Sequence, residues 1–176
     1  MSGHNKWSKI KRQKEKTDSQ KSKIFGKMVK MITVEAKKSH GDLESPGLRN
    51  AIEKAKAINV PNENIERAIK KSTEVGAEMQ SIIYEAYGPG GCALIIEALT
   101  DNHNKAAQEI KHTLSEHGHA LASIGSASWA FTRTPDMEWH AQTTVPLSEE
   151  DGNKLGELID DLEENDEVQE VYTNAE

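Results

Sequence analysis

A nearly continuous apolar run, Cys92 to Thr100, is the feature that most limits how this chain can fold. Only Glu97 interrupts it. A short run of this kind between turn signals, rich in isoleucine and leucine, reads as a strand buried on both faces. Gly88-Pro89-Gly90-Gly91 precedes it. That turn lacks the G-x-x-x-x-G-K-[ST] spacing of a phosphate loop and leads into a strand rather than a helix, so it reads as a tight turn. Beyond the strand, Asp101 or Asn102 caps a helix with Ala106, Ala107, Ile110 and Leu114 on its inner face, and Gly118 closes it. Ala127 to Arg133 alternates, with Trp129 and Phe131 on one side. After Thr134-Pro135-Asp136, the residues Met137, Trp139, Ala141, Thr143, Val145 and Leu147 alternate inward. Ser148 with Asp151 forms a capping-box pattern. It opens a helix lined by Leu155, Leu158, Ile159 and Leu162, and Glu167 to Thr173 makes a last, edge strand. The order β-α-β, turn, β-α-β is that of a ferredoxin-like split βαβ sandwich.

The first half has a different period. Residues 1 to about 20 show none, with Trp7 and Ile10 isolated among Lys, Ser, Gln and Asn. Such a segment cannot offset its own ordering entropy and is expected to be mobile until a partner arrives. From Ile24 the stripe Ile24, Phe25, Met28, Val29, Ile32 and Ala36 is helical, and Gly41 ends it. Ser45-Pro46 starts a second helix, Ser at the N-cap and Pro at the first position, with Leu48, Ala51, Ile52 and Ala55 inward. Pro61 opens a third, carrying Ile65, Ala68 and Ile69. Glu74-Val75-Gly76-Ala77 reads as a hinge. The expected fold is therefore multi-domain α+β: a basic leader (1–22), a three-helix bundle (23–76) and a ferredoxin-like α+β domain (77–176).

Charge divides the chain at nearly the same place. Residues 1–38 hold twelve basic residues against three acids, and residues 1–75 carry a net +9. Residues 76–176 carry a net −16, with four Lys or Arg against twenty Asp or Glu. A cationic arm on an acidic body is drawn to polyanions along one face. Candidate nucleic-acid contacts are His4, Lys6, Trp7, Lys9, Lys11, Arg12, Lys14, Lys16, Lys21, Lys23 and Lys27, with Arg67, Lys70 and Lys71 on the third helix. Trp7 among lysines can stack on an unpaired base or pack on the bundle.

Other chemistries find little support. Cys92 is the only cysteine, so no intrachain disulfide forms, and its apolar setting reads as a small buried thiol in a reducing compartment. His112, His117 and His119 read as surface histidines: no cysteine joins them and no H-E-x-x-H occurs. The acidic run Asp160 to Glu167 reads as a solvated face that offers no partner for acid-base catalysis. No metal, cofactor or enzymatic activity is expected. No apolar run approaches the ~20 residues of a membrane helix. The basic N-terminus has no apolar segment behind it, and Glu15, Asp18 and the scarcity of Arg argue against a transit peptide. A cytoplasmic monomer with no membrane partner is the expectation. The sheet domain carries no basic-aromatic strand of the RNA-recognition type, so it is not expected to be the primary RNA platform.

Several long motifs resemble one family. They are Met1-Ser-Gly-His-Asn-Lys-Trp-Ser-Lys-Ile10, Lys23-Ile-Phe-Gly-Lys27 and Ala55-Lys-Ala-Ile-Asn-Val-Pro-Asn-Glu-Asn-Ile-Glu-Arg-Ala-Ile69. Tyr87-Gly-Pro-Gly-Gly91, Thr100-Asp-Asn-His-Asn104, His117-Gly118, Gly125-Ser-Ala-Ser-Trp-Ala-Phe131 and the stretch Leu158 to Tyr172 continue the match. Together they resemble the YebC family of bacterial regulators, which includes the mitochondrial translational activator of cytochrome c oxidase. The resemblance implies three domains, the third inserted after the strand ending near Phe131. Here Thr134 to Asp136 stands in that place, as in a shortened relative. Asn102, His103, Asn104 and Lys105 become possible secondary contacts, with His103 and Lys105 where the family typically has Arg. His119-Ala120 stands where it typically has Gly-Asn. The family is described as DNA-binding transcriptional regulators or as ribosome-associated translation factors. With the basic leader, this implies a non-enzymatic translation factor that binds ribosomal RNA and meets ribosomal proteins. The alternatives are a DNA-binding transcriptional regulator, or a regulatory module for a ligand or protein.

Overall fold

In the computed structural model, which describes residues 18–73 and 78–176, the helical period of the first half produces three helices. They are α1 (Asp18–Lys38), α2 (Pro46–Ala57) and α3 (Asn62–Lys71). Helix α1 starts earlier than its apolar stripe, with Asp18 supplying an acid to the positive first turn. Residues 18–22, read as leader, are therefore helical. Ile32 and Ala36 of α1, Leu48, Ala51 and Ala55 of α2, and Ile65 and Ala68 of α3 close one core, joined by Val60. Helices α2 and α3, of 12 and 10 residues, are too short to be secure alone, so this shared core supplies most of their stability.

Chain reversals follow from local geometry. The amide of Gly41 donates to the Ala36 carbonyl at 2.8 Å, with His40 and Gly41 both at positive φ. The amide of Val60 likewise donates to Ala55 at 3.0 Å, with Asn59 at φ 63° and the Val60 side chain buried beneath. Both are left-handed helix stops. Ser45 occupies the N-cap of α2, but its side chain makes no capping bond; Pro46 sets the start. The hinge read at Glu74 to Ala77 lies outside the described residues.

Residues 81–134 and 138–176 form a separate α+β unit. Its strands are β1 (Gln80–Tyr87), β2 (Ala93–Thr100), β3 (Leu121–Ala122), β4 (Phe131–Arg133), β5 (Trp139–Ala141) and β6 (Val168–Thr173). Its helices are α4 (His103–Glu116) and α5 (Glu149–Glu164). The main sheet has spatial order β3-β1-β2-β6, with β6 antiparallel to β2 at one edge. Strand β2 is buried on both faces, as its composition required. Leu94, Ile96 and Ala98 pack with Ile110 and Leu114 of α4 and Leu155, Leu158 and Leu162 of α5. Ala93 and Ile95 pack on the other side with Ala127, Ala130 and Phe131. Leu94, Ile95 and Ile96 are fully buried, and each contributes about 1.5–3 kcal/mol of hydrophobic stabilisation.

The bundle-plus-sandwich α+β class is as expected, but the strands composing the sandwich are not. Phe131–Arg133 and Trp139–Ala141 pair with each other in a separate two-stranded ribbon. Both edges of β2 are already taken, by β1 and β6, so the ribbon covers a sheet face instead. Strand β1 escapes the sequence pattern because an acid, Glu85, occupies a buried position within it. Residues 128–130 form a 3₁₀ turn. Trp129 and Phe131 therefore part company: Phe131 is buried and Trp129 is 61% exposed.

Both helix caps hold. Asn102 accepts from the Lys105 amide at 3.1 Å, and Ser148 accepts from the Asp151 amide at 3.1 Å. Gly118, at φ +78°, stops α4 while His119 donates to the Leu114 carbonyl. Asn174, nearly buried, ties the C-terminus to β2: its Oδ1 accepts from Ala93 at 2.7 Å and its Nδ2 donates to Thr143 at 3.0 Å.

Candidate nucleic-acid interface

Helical spacing puts Arg67, Lys70 and Lys71 on one side of α3, away from Ile65 and Ala68 in the core. All three are exposed. Among the described residues no ion pair engages them. Glu63 and Glu66 lie one turn back on the same helix. Lys70 and Lys71 also fall in the last turn, where the helix dipole favours cations.

The cations of α1 are less uniform. Lys21 is exposed, Lys23 is half-buried, and Lys27 retains only 9% exposure. Lys23 and Lys27 each already have an interaction partner, so only Lys21 of the three is presented as a simple surface charge. His4, Lys6, Trp7, Lys9, Lys11, Arg12, Lys14 and Lys16 lie outside the described residues.

The head of α4 is exposed at Asn102, His103, Asn104 and Lys105, but two of these residues have local duties. Asn102 caps the helix, and Lys105 Nζ lies 3.6 Å from Glu167 and 3.9 Å from Glu109. His103 too has a partner. Any anion reaching this corner would compete with two carboxylates for Lys105.

The histidines are not all simple surface groups. His117 pairs with Asp161 at 2.7 Å, and burial followed by the neighbouring His117 lowers the pKa of His119. His112 is exposed, 3.5 Å from Glu116. An open cleft of about 490 Å³ is lined by Pro89, Gly90, Glu116, His117, His119, Asp151 and Lys154. Its charges are mixed, so it offers no run of cations to a polyanion. Among the described residues no group of three or more His, Cys, Asp or Glu is placed to hold a metal, and no helix is long and apolar enough to cross a membrane. Burial raises the Cys92 thiol pKa, which leaves it in the unreactive thiol form.

Sequence reasoning missed the most organised polar site. The Glu85 carboxylate accepts from the amides of Gly125 at 2.7 Å, Ala127 at 2.7 Å and Ser128 at 2.8 Å. Burial alone would raise its pKa, but these amide hydrogen bonds outweigh that and lower it. The signal available was an acid inside an otherwise apolar, β-branched stretch, Ile82-Ile83-Tyr84-Glu85-Ala86.

Fold and charge define a two-unit α+β protein with a cationic helical half. Comparison with known proteins is more specific. The family model described as the TACO1/YebC protein N-terminal domain matches residues 5–75. The model of the TACO1/YebC second and third domain matches residues 79–136 and 134–175. The chain belongs to the TACO1/YebC family. A probable transcriptional regulatory protein of Thermoanaerobacter pseudethanolicus is 40% identical over 239 positions, covering 100% of this chain and 97% of the relative. That alignment is longer than this 176-residue chain, and the two matched segments of the second model meet at residues 134–136. A probable transcriptional regulatory protein of Petrotoga mobilis is 46% identical, over 100% of this chain and 71% of the relative. One from Pseudothermotoga lettingae is 54% identical over 76% of this chain, which spans 54% of that relative. Among solved structures, a conserved hypothetical protein of Aquifex aeolicus matches with a TM-score of 0.84 at 31% identity, over 98% of this chain and 97% of its own.

Proposed function

We propose that this chain is a non-enzymatic regulatory protein that grips RNA on the ribosome through its basic N-terminal region. The observation that carries this reading is the charge division, with +9 on residues 1–75 and −16 on residues 76–176. Arg67, Lys70 and Lys71, exposed on one side of α3, are the described part of the gripping surface. Lys21 and the leader cations Lys6, Lys9, Lys11, Arg12, Lys14 and Lys16 add to the positive charge of this region. Phosphate contacts of this kind supply affinity without sequence selectivity. The head of α4, from Asn102 to Lys105, is a secondary contact weakened by Glu109 and Glu167.

The relatives' printed description favours a second reading, binding to promoter DNA as a transcriptional regulator. Base readout there needs Arg, Asn or Gln directed together into a groove. The exposed side of α3 is instead mainly Lys and Glu around Arg67.

Sedimentation of cell lysate separates the two. The ribosome reading predicts co-migration with ribosomal particles that RNase abolishes. Residence in the free-protein fractions at gentle salt, with sequence-selective shifts of duplex DNA, would reject it in favour of the second.

A further inference from the structure

The α+β unit exposes a small aromatic platform for which the nucleic-acid reading has no use. Ile124 is 95% exposed, Trp129 61% and Tyr87 37%. They are three of the five exposed large apolar side chains among the described residues, and one loop with its clasp carries all three. The loop is held from beneath. Glu85 binds the amides of Gly125, Ala127 and Ser128, and the Tyr87 hydroxyl donates to the Ser126 carbonyl. Trp129 Nε1 in turn donates to the Tyr87 hydroxyl at 3.1 Å. The indole is thus anchored by its N–H while most of its surface stays open. Exposed, preorganised Trp and Tyr are what protein interfaces use as anchors, because little ordering entropy remains to be lost on binding.

Charge indicates the occupant. The segments of the unit that carry the platform and the sheet face beside it, residues 81–100, 121–134 and 138–141, contain a single Lys or Arg, Arg133, against Glu85, Glu97 and Glu138. Arg133 is itself 3.4 Å from Glu97. With residues 76–176 at −16, phosphate is repelled and cationic side chains are attracted. The unit already shows the contact such a cation would make: the Arg133 guanidinium lies 5.1 Å from the centre of the Trp139 ring. We propose that Trp129, with Ile124 and Tyr87, docks an arginine-bearing segment of a basic partner protein, the guanidinium lying on the indole.

The test uses the full chain and a twelve-residue peptide of alternating Arg and Ser, with Lys-Ser, Glu-Ser and Gly-Ser peptides as controls. The Arg-Ser peptide should shift the Trp129 indole N–H resonance, assigned by its loss in Trp129→Phe. It should bind more tightly than the Lys-Ser peptide, while the other two do not bind. Trp129→Ala, at an exposed position, should fold normally and weaken binding about threefold to tenfold; Ile124→Ser should weaken it less. Three results would overturn the proposal. One is an unchanged dissociation constant in Trp129→Ala, including no binding by either protein. Another is a Trp129 shift produced by an oligouridine and not by the peptide. The third is a concentration-dependent dimer that Trp129→Ala dissolves, which would make a second copy the occupant.

Discussion

Glu85 is the single residue on which the most local order depends. Three backbone amides converge on its carboxylate, and a substitution leaves them without an acceptor, that of Ala127 at a fully buried position. Glu85→Ala should lower stability by about 1–3 kcal/mol in urea unfolding. The pH dependence has a definite sign. Because the folded-state pKa is lowered from 4.5, the contribution is complete above that value and fades as pH falls through the lower folded-state value. The stability gap between native protein and Glu85→Gln should therefore be wide at pH 7 and shrink as pH falls below 4.5. A gap independent of pH would mean that the carboxylate charge is not what holds the loop. At this scale the sequence shows residue types but not partners. Lys27 looks like any other lysine of α1, yet it is nearly buried, and Trp129 looks inward until a 3₁₀ turn shifts the alternation.

Among the elements, those organised by neighbours in sequence were legible. The stripes of α1 to α5, the Asn102 and Ser148 caps and the Gly118 stop all depend on contacts within a few positions. Strand partnership was not legible, because it depends on which segments compete for the edges of β2, and β1 hid behind its buried acid. The turn between β1 and β2 offers a paired test. Gly90 and Gly91 both have positive φ, at +67° and +78°. A Cβ on Gly90 would stand 2.4 Å from Leu147 Cδ2, whereas one on Gly91 meets nothing within 4 Å. Gly91→Ala should cost about 1 kcal/mol from backbone strain alone, and Gly90→Ala about 1–3 kcal/mol more from the clash. Equal melting temperatures for the two variants would show that Leu147 yields freely. Ser148→Ala should cost about 1 kcal/mol through the lost cap on α5.

For the whole molecule, the central claim is that the basic region grips RNA while the acidic unit does not. The candidate interface was legible only as charge and composition; the structure adds that Arg67, Lys70 and Lys71 share one side of α3 and that Lys23 and Lys27 are partly withdrawn. The α+β unit has its own core on both faces of β2, so a fragment of residues 78–176 should fold alone and bind no RNA detectably. The most direct measurement is the salt dependence of single-stranded RNA binding by the full chain. About five phosphate contacts made by the leader's own cations predict a slope of log K against log salt near −3.5. Replacing Lys9, Lys11, Arg12 and Lys14 together by Ala should remove most of that slope and leave the melting temperature unchanged. An unchanged slope in the quadruple variant, or tighter RNA binding by residues 78–176 than by the full chain at equal salt, would contradict the account.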